Sequence, residues 1–425
     1  MSEQRNGKGL LSGYRVLDLA DEKGLLCGKV LGDLWADVIK IERPGGDPAR
    51  DIGPFYKGFP DPQKSLFWFY TNLNKRGVTL DIETADGRDI FKRLAKAAHF
   101  VIECYEPGYM AKLGLGYPEL ERINPGIVMI SITPFGQTGP YAHYRATDII
   151  LMAMSGLMRA FGDPDRPPVR VSQPQAFFLS SIHGVIGSLV AHYHRQSTGE
   201  GQQVDVSCQD AAMLSLCILA EYWDILKFNY KREGSFLARV RPAPLGPLVG
   251  RYVYACKDGF VLGYLQGGAQ AGMVLSSQAL TEWANSYGYA LELKDYDWTK
   301  LDFGTVPQSE LSRVQDTLQT FLLTRTKAEI MEKAVEKAIL LFPVTDAKDL
   351  LESPQFKARE FFVPVAHPEL GRSITYPGFP VKVSGQPYRV RRRAPLIGEH
   401  NEEVYIGELG LSRKELARLK ADKVI

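Results

Sequence analysis

Apolar residues in the early part of the chain come in short blocks, separated by amphipathic stretches, and this alternation predicts strand-helix-strand units. Arg15 to Leu19 reads as a buried strand, Lys23 to Leu34 as a helix and Val38 to Glu42 as a second strand. The pattern then repeats. Val78 to Asp81 predicts a strand, Thr84 to Ala97 an amphipathic helix and Phe100 to Glu103 the next strand. Helical turns at Met110 to Gly114 and Tyr117 to Asn124 precede a strand at Ile127 to Ile132. Strands separated by helices favour a doubly wound parallel sheet.

From Ile149 the pattern changes. Ile149 to Met158 and Phe177 to Arg195 are long apolar helical stretches, the second spanning roughly 28 Å at 1.5 Å per residue. Gly184 and Gly187 share a face of that helix, where a missing side chain permits close approach of another helix, and we expect the helix that bears them at or near a contact with another chain. Val204 to Val206 predicts a strand and Asp210 to Leu226 a helix. Lys231 to Leu248, rich in Arg, Pro and Gly, reads as the crossing into a smaller domain. There Arg251 to Ala255 and Phe260 to Tyr264 flank a turn at Lys257-Asp258-Gly259, a β-hairpin pattern. Ser309 to Leu323 and Lys327 to Lys337 read as solvated helical surface.

The region after residue 335 returns to short extended pieces cut by Pro354, Pro364, Pro368, Pro377 and Pro380, which cannot build a core alone and should pack back on the first domain. Ser412 with Glu415 three residues later marks a capping box. The expected architecture is α/β: a Rossmann-like large domain with a parallel sheet from residues 1–225 and 335–425, and a smaller α+β domain from 226–334.

Composition narrows the function classes. Fifty-one Lys and Arg against 49 Asp and Glu leave a formal charge of +2, so no global field draws the chain to nucleic acid or an anionic membrane. Any anion must meet local cations. The five cysteines, Cys27, Cys104, Cys208, Cys217 and Cys256, show no Cys-x-x-Cys pairing and read as free thiols in a reducing compartment. Met1 to Gly9 carries no apolar signal segment, and apolar runs such as Ala211 to Ala220 fall short of the roughly 20 residues that cross a bilayer. A cytoplasmic location is the expectation.

Several runs together, in order, resemble the family III CoA-transferases. They are Val16-Leu17-Asp18-Leu19, Leu31-Gly32-Asp33-Leu34-Trp35-Ala36-Asp37-Val38-Ile39-Lys40-Ile41-Glu42-Arg43-Pro44-Gly45-Gly46-Asp47, and Asn74-Lys75-Arg76-Gly77-Val78-Thr79-Leu80-Asp81. Glu106-Pro107-Gly108, Phe135-Gly136-Gln137-Thr138-Gly139-Pro140-Tyr141, Thr198-Gly199-Glu200-Gly201-Gln202, Tyr376-Pro377-Gly378 and Gly398-Glu399-His400-Asn401 continue the resemblance. It implies an interlocked, ring-through-ring dimer unit, and coenzyme A or an acyl-CoA as substrate at the large domain's sheet, with no covalently bound cofactor and no metal. By resemblance, Arg43, Lys75 and Arg76 lie near the nucleotide, Cys104 and Tyr105 near the adenine, and Lys112 where an Arg is frequent. The run Gly263, Gly267, Gly268 and Gly272 offers a flexible loop over the acyl group.

The departure from that family is at Phe177. In relatives the segment Arg170 to Ser181 usually carries Gly-Asp, whose carboxylate attacks the thioester, and here the position of the Asp is Phe177. A phenyl ring cannot form an anhydride. Gln173 and Gln175 are neutral amides, and Thr147 stands where racemases of the superfamily have His. Asp148, Asp163, Asp165, His183 and Cys208 read as structural groups, and no nucleophile and base pair emerges. No catalytic residue is therefore assigned. The leading reading is a noncatalytic subunit whose partner is a homologous family III subunit with an intact Asp, in a heterodimer or 2:2 heterotetramer. A homomeric isomerase or hydratase, or a CoA-binding scaffold, are the alternatives.

Overall fold

The computed structural model describes residues 9–216, 218–229, 231–239, 241, 244–384 and 388–425, so Cys217 and the polar start of the chain lie outside the described residues. Two compact units result. The first takes in residues up to Leu157, Arg170–Ala220 and Pro354–Ile425, and the second Met158–Val169 and Glu221–Ser353.

Strands β1 (Arg15–Asp18), β2 (Asp37–Glu42), β3 (Lys75–Thr79), β4 (Phe100–Glu103), β5 (Val128–Thr133) and β6 (Gln203–Ser207) form one sheet. Its order is β3-β2-β1-β4-β5-β6, with every neighbouring pair parallel. Helices α1 (Leu25–Asp33), α2 (Leu66–Thr71), α3 (Ala85–Lys96), α4 (Tyr109–Lys112), α5 (Tyr117–Ile123), α6 (Asp148–Met154) and α7 (Gln175–Thr198) connect the strands. α8 (Cys208–Leu214) and α9 (Leu219–Leu226) follow, so the single helix expected over 210–226 is two. The central strands are apolar almost throughout because helices cover both sheet faces. α3 shows how local chemistry sets a boundary: Thr84 Oγ1 accepts the Gly87 N–H at 3.0 Å, while Arg93 and Lys96 sit in the last turn, against the helix dipole.

α7 is long and apolar enough, by length and composition, to cross a membrane, and one face of it is buried, with Phe177, Ser180, Ser181, Gly184, Val185, Ser188 and Ala191 turned inward. A Cβ on Gly184 would lie 3.1 Å from Ile132 and 3.3 Å from Cys27 Sγ, and one on Gly187 only 2.6 Å from Val204. The close approach expected at these glycines is made by the chain's own β5, β6 and α1. Ile182, Ile186, Val190 and Tyr193 are exposed on the opposite side of the helix.

In the second unit β7 (Phe236–Arg239) and β8 (Leu248–Arg251) pair antiparallel. β9 (Val253–Cys256), β10 (Gly259–Gly263) and β11 (Leu341–Pro343) make a small antiparallel sheet, joined by α10 (Ala271–Asn285), α11 (Gln308–Leu322), α12 (Lys327–Lys337) and α13 (Ala347–Glu352). Pairing of β11 with β10 carries this unit past the expected boundary at 334. α11 is not merely solvated surface, because Leu311, Val314, Leu318 and Phe321 enter the unit's core beside Trp283 and Trp298.

The chain returns through α14 (Pro354–Ala358), the hairpin β12 (Phe362–His367) and β13 (Arg372–Pro377), and α15 (Arg413–Ala421). These pieces join the first unit, with Val365 and Tyr376 packed beside Trp68 and Phe69, and Val404, Leu416 and Leu419 in the core under the sheet. Ser412 and Glu415 form the capping box of α15.

Candidate functional site

The strand order reverses between β1 and β4, which opens a crevice at the carboxyl ends of those strands, the place where such sheets bind ligands. The turn from β1 into α1 reads Leu19-Ala20-Asp21-Glu22-Lys23-Gly24, without the glycine spacing that lets a backbone approach a dinucleotide pyrophosphate. Glu42, at the end of β2 where a ribose-binding acid is found in dinucleotide folds, is buried and taken. It accepts from Arg50 Nε at 2.6 Å, Arg50 Nη2 at 2.8 Å and the Asp47 N–H at 2.9 Å. Nicotinamide-type binding is thus not what this crevice is built for.

Two cavities adjoin at Asp21 and Tyr105. One, of about 440 Å³, has Arg43, Tyr105, Tyr109, Asp81, Glu83 and Lys423 in its wall. The other, of about 310 Å³, has Lys23, Cys104, Tyr105, Glu106, Tyr144 and Arg145. Tyr105 and Tyr109 stack with ring centroids 4.6 Å apart, presenting a flat aromatic wall. Arg43 is exposed and makes no side-chain hydrogen bond or ion pair among the described residues, so its guanidinium is available to a ligand. Such a groove, with a free guanidinium at one end and an aromatic wall, suits a phosphorylated nucleotide with an extended arm.

Burial shapes the groove's electrostatics. Glu103, at the end of β4 beneath Tyr105, is pushed up to about 7 by desolvation, against bonds from the Ser131 hydroxyl and the Tyr105 N–H. Burial pulls the Lys23 ammonium down, but Asp21 beside it prevails and holds it above the usual lysine range. Burial pushes the Cys104 thiol well up, so it stays protonated and unreactive.

Of the residues expected at the nucleotide site, the crevice brings together Arg43, Cys104 and Tyr105. Lys75 is a correction: it is fully buried, and Nζ donates to Asp18 Oδ2 at 2.7 Å, Leu25 O at 2.8 Å and Asn72 Oδ1 at 2.9 Å. All three N–H donors are spent inside the protein. Arg76 is corrected as well. At the amino-terminal end of β3, away from the crevice, it is tied to Asp37, Glu403 and Glu408. Lys112, the last residue of α4, is exposed and lines neither cavity. Sequence reasoning missed Lys23, Tyr109, Arg145 and Lys423. Only the stretch from Glu106 to Tyr109, beside a motif already noted, carried a signal for any of them.

Phe177 lies in the first turn of α7, 5% exposed, and its N–H donates to Asp148 Oδ1 at 3.1 Å. Asp148 therefore caps α7 from outside, which a segment opening on Pro174 lacks locally. Burial raises the Asp148 carboxyl against bonds from the Phe177 and Ala176 N–H groups. One turn further on, Ser181 Oγ donates to the Lys23 carbonyl at 3.1 Å, so the start of α7 abuts the loop of the smaller cavity. In the second unit the glycine-rich run is not an open loop. The Gly267 N–H is bonded to Leu301 O at 3.0 Å and the Gly268 N–H to Trp298 O at 3.1 Å, and a Cβ on Gly267 would lie 1.7 Å from the Trp298 carbonyl oxygen.

A parallel sheet in this order, with a groove of nucleotide size at its switch point and a buried helix start beside it, defines a doubly wound α/β protein. The chain belongs to CoA-transferase family III, whose family model matches residues 11–401. It is 33% identical over 414 residues to the BbsE subunit of succinyl-CoA:(R)-benzylsuccinate CoA-transferase from Thauera aromatica, covering 96% of each chain. It is 32% identical over 430 residues to succinyl-CoA–D-citramalate CoA-transferase from Chloroflexus aurantiacus, covering 100% of both. A CAIB/BAIF family protein from Brucella suis has the same fold, with a TM-score of 0.78 at 27% identity over 94% of this chain and 99% of that one.

Proposed function

We propose that this chain is a noncatalytic subunit of a heteromeric CoA-transferase that moves CoA from an acyl-CoA such as succinyl-CoA to a carboxylic acid such as (R)-benzylsuccinate. The observation that carries it is Phe177: at the family's Asp position stands a buried phenyl ring with no atom able to attack a thioester. The partner is then a homologous subunit with the Asp intact, and the likeness to a relative named as a subunit supports this. Arg43, Tyr105 and Tyr109 are the groups we assign to a CoA nucleotide held by this chain. The exposed apolar stripe Ile182, Ile186, Val190 and Tyr193, flanked by Ile149, Ile150 and Met154 of α6, is the surface we assign to the interlocked contact. Cys27, Cys104, Cys208 and Cys256 are buried free thiols, which agrees with a cytoplasmic site of action.

The test is reconstitution. Purified alone, the chain should not transfer CoA between succinyl-CoA and (R)-benzylsuccinate; co-expressed with a homologous subunit that retains the Gly-Asp segment, the pair should, with the acyl intermediate trapped on the partner's Asp. Turnover by this chain alone would instead establish a homomeric enzyme with altered chemistry. Failure of the pair to form would remove the heteromer.

A further inference from the structure

The residue after the C-cap of α15 is in the left-handed conformation, at a place where helices favour glycine, yet it is a lysine. Lys423 has φ +56°, its N–H donates to Lys420 O at 3.1 Å, and the Val424 N–H donates to Leu419 O at 2.8 Å. This is a Schellman stop, with Val424 and Leu419 both in the core. The Asp81 N–H donates to Val424 O at 2.7 Å, which pins the segment to the loop after β3. A Cβ in this conformation is unfavourable, and the Schellman bonds together with the Asp81 bond hold Lys423 in it. The side chain of Lys423 reaches the larger cavity, whose other lining cation is Arg43, and it makes no hydrogen bond or ion pair among the described residues.

The acids of that cavity divide into two sets. Asp21, Glu42 and Asp47 are held by Lys23, Arg50 and Lys40 respectively. Asp81 and Glu83 have no cationic partner among the described residues; Asp81 Oδ1 accepts the Glu83 N–H at 2.9 Å and Glu83 Oε1 the Tyr109 hydroxyl at 2.6 Å. The wall thus offers two free cations, two acceptor carboxylates and a tyrosine stack. These match a phosphate, the hydroxyl and amino donors of a nucleoside, and its base. The start of α7 abuts the other cavity through Ser181 and Lys23, so the Arg43 end is the end far from the reacting group.

We infer that Lys423 is a phosphate-binding residue of this groove, facing Arg43 across the nucleotide end of a bound CoA. The inference rests on the proposal that this chain holds CoA. Its test is calorimetric titration of the purified assembly with CoA and with 3′-dephospho-CoA, comparing the parent with Arg43→Ala and Lys423→Gly, alongside thermal unfolding. Lys423→Gly should weaken CoA about tenfold and leave the unfolding midpoint equal or higher, because glycine relieves the left-handed strain. Loss confined to CoA assigns the 3′-phosphate; equal loss for both ligands, with the midpoint held, assigns the pyrophosphate. A lowered midpoint with equal loss for both ligands makes Lys423 part of the scaffold and overturns the inference. Unchanged CoA binding in Lys423→Gly while Arg43→Ala weakens it overturns the inference alone. No effect of either change removes the nucleotide groove itself, and Lys423 with it.

Discussion

Replacing Lys75 by Met separates two roles for this residue, a phosphate ligand and an internal strut. In the structure both Lys75 and Asp18 are wholly buried and bonded at 2.7 Å, and two further acceptors, Leu25 O and Asn72 Oδ1, depend on the same ammonium. Asp18 Oδ1 keeps the Ala20 N–H at 3.0 Å, but Oδ2 loses its bond to the ammonium. Removing one member of a buried ion pair costs about 3–5 kcal/mol, and an orphaned buried acceptor adds about 1–3 kcal/mol. A loss near 5 kcal/mol is of the size of a domain's whole stability, so the first unit should open locally or fail to fold. Hydrogen exchange read by mass spectrometry on peptides spanning β1 and β3 measures this unit irrespective of the second. The double change Lys75→Met with Asp18→Asn, which removes the stranded charge, should recover most of the protection. Should Lys75→Met leave exchange of these strands within about 1 kcal/mol of the parent while CoA affinity falls, the strut is refuted and Lys75 belongs to the nucleotide site.

Two other outcomes follow from the packing and the pKa directions. Burial pushes the Glu103 carboxyl up to about 7 from the ordinary 4.5, so the folded state binds more protons between those values and stability falls as pH rises through that window. Glu103→Gln should be near neutral at pH 4.5 and stabilising by up to about 3 kcal/mol at pH 8; urea denaturation at the two pH values checks it, and a pH-independent effect counts against it. Gly187→Ala places a Cβ 2.6 Å from Val204 and should destabilise the first unit by about 1–3 kcal/mol, while Ile186→Ser, on the exposed face, should stay within about 0.5 kcal/mol and weaken association with the partner instead. Thermal unfolding and sedimentation of the two variants separate these effects, and the reverse pattern would put the glycine face, not the Ile186 face, at the contact.

The elements and the family are legible in the order of the residues alone. Strand-helix alternation over the first six strands, the capping box at Ser412 and the buried apolar runs rest on local periodicity and turn chemistry, which act within a few residues. The proposed loss of the carboxylate at Phe177 is likewise read from the chain alone, since a missing functional group needs no fold to be seen. Which cations face the crevice was not legible. Lys75 and Arg43 both flank predicted strands, yet one points into an internal cluster because Asp18, 57 residues away, lies across the sheet from it, and the other opens into a cavity. Lys423 and Arg43 meet one cavity from opposite ends of the chain, because the Schellman stop after α15 and the Asp81 bond carry the last helix to the end of β3. The glycine run at Gly267 read as a flexible loop, but the carbonyls that take its N–H groups come from Trp298 and Leu301. Glycine reports only that a backbone is permitted to approach something; what it approaches is decided by the residues the fold brings there.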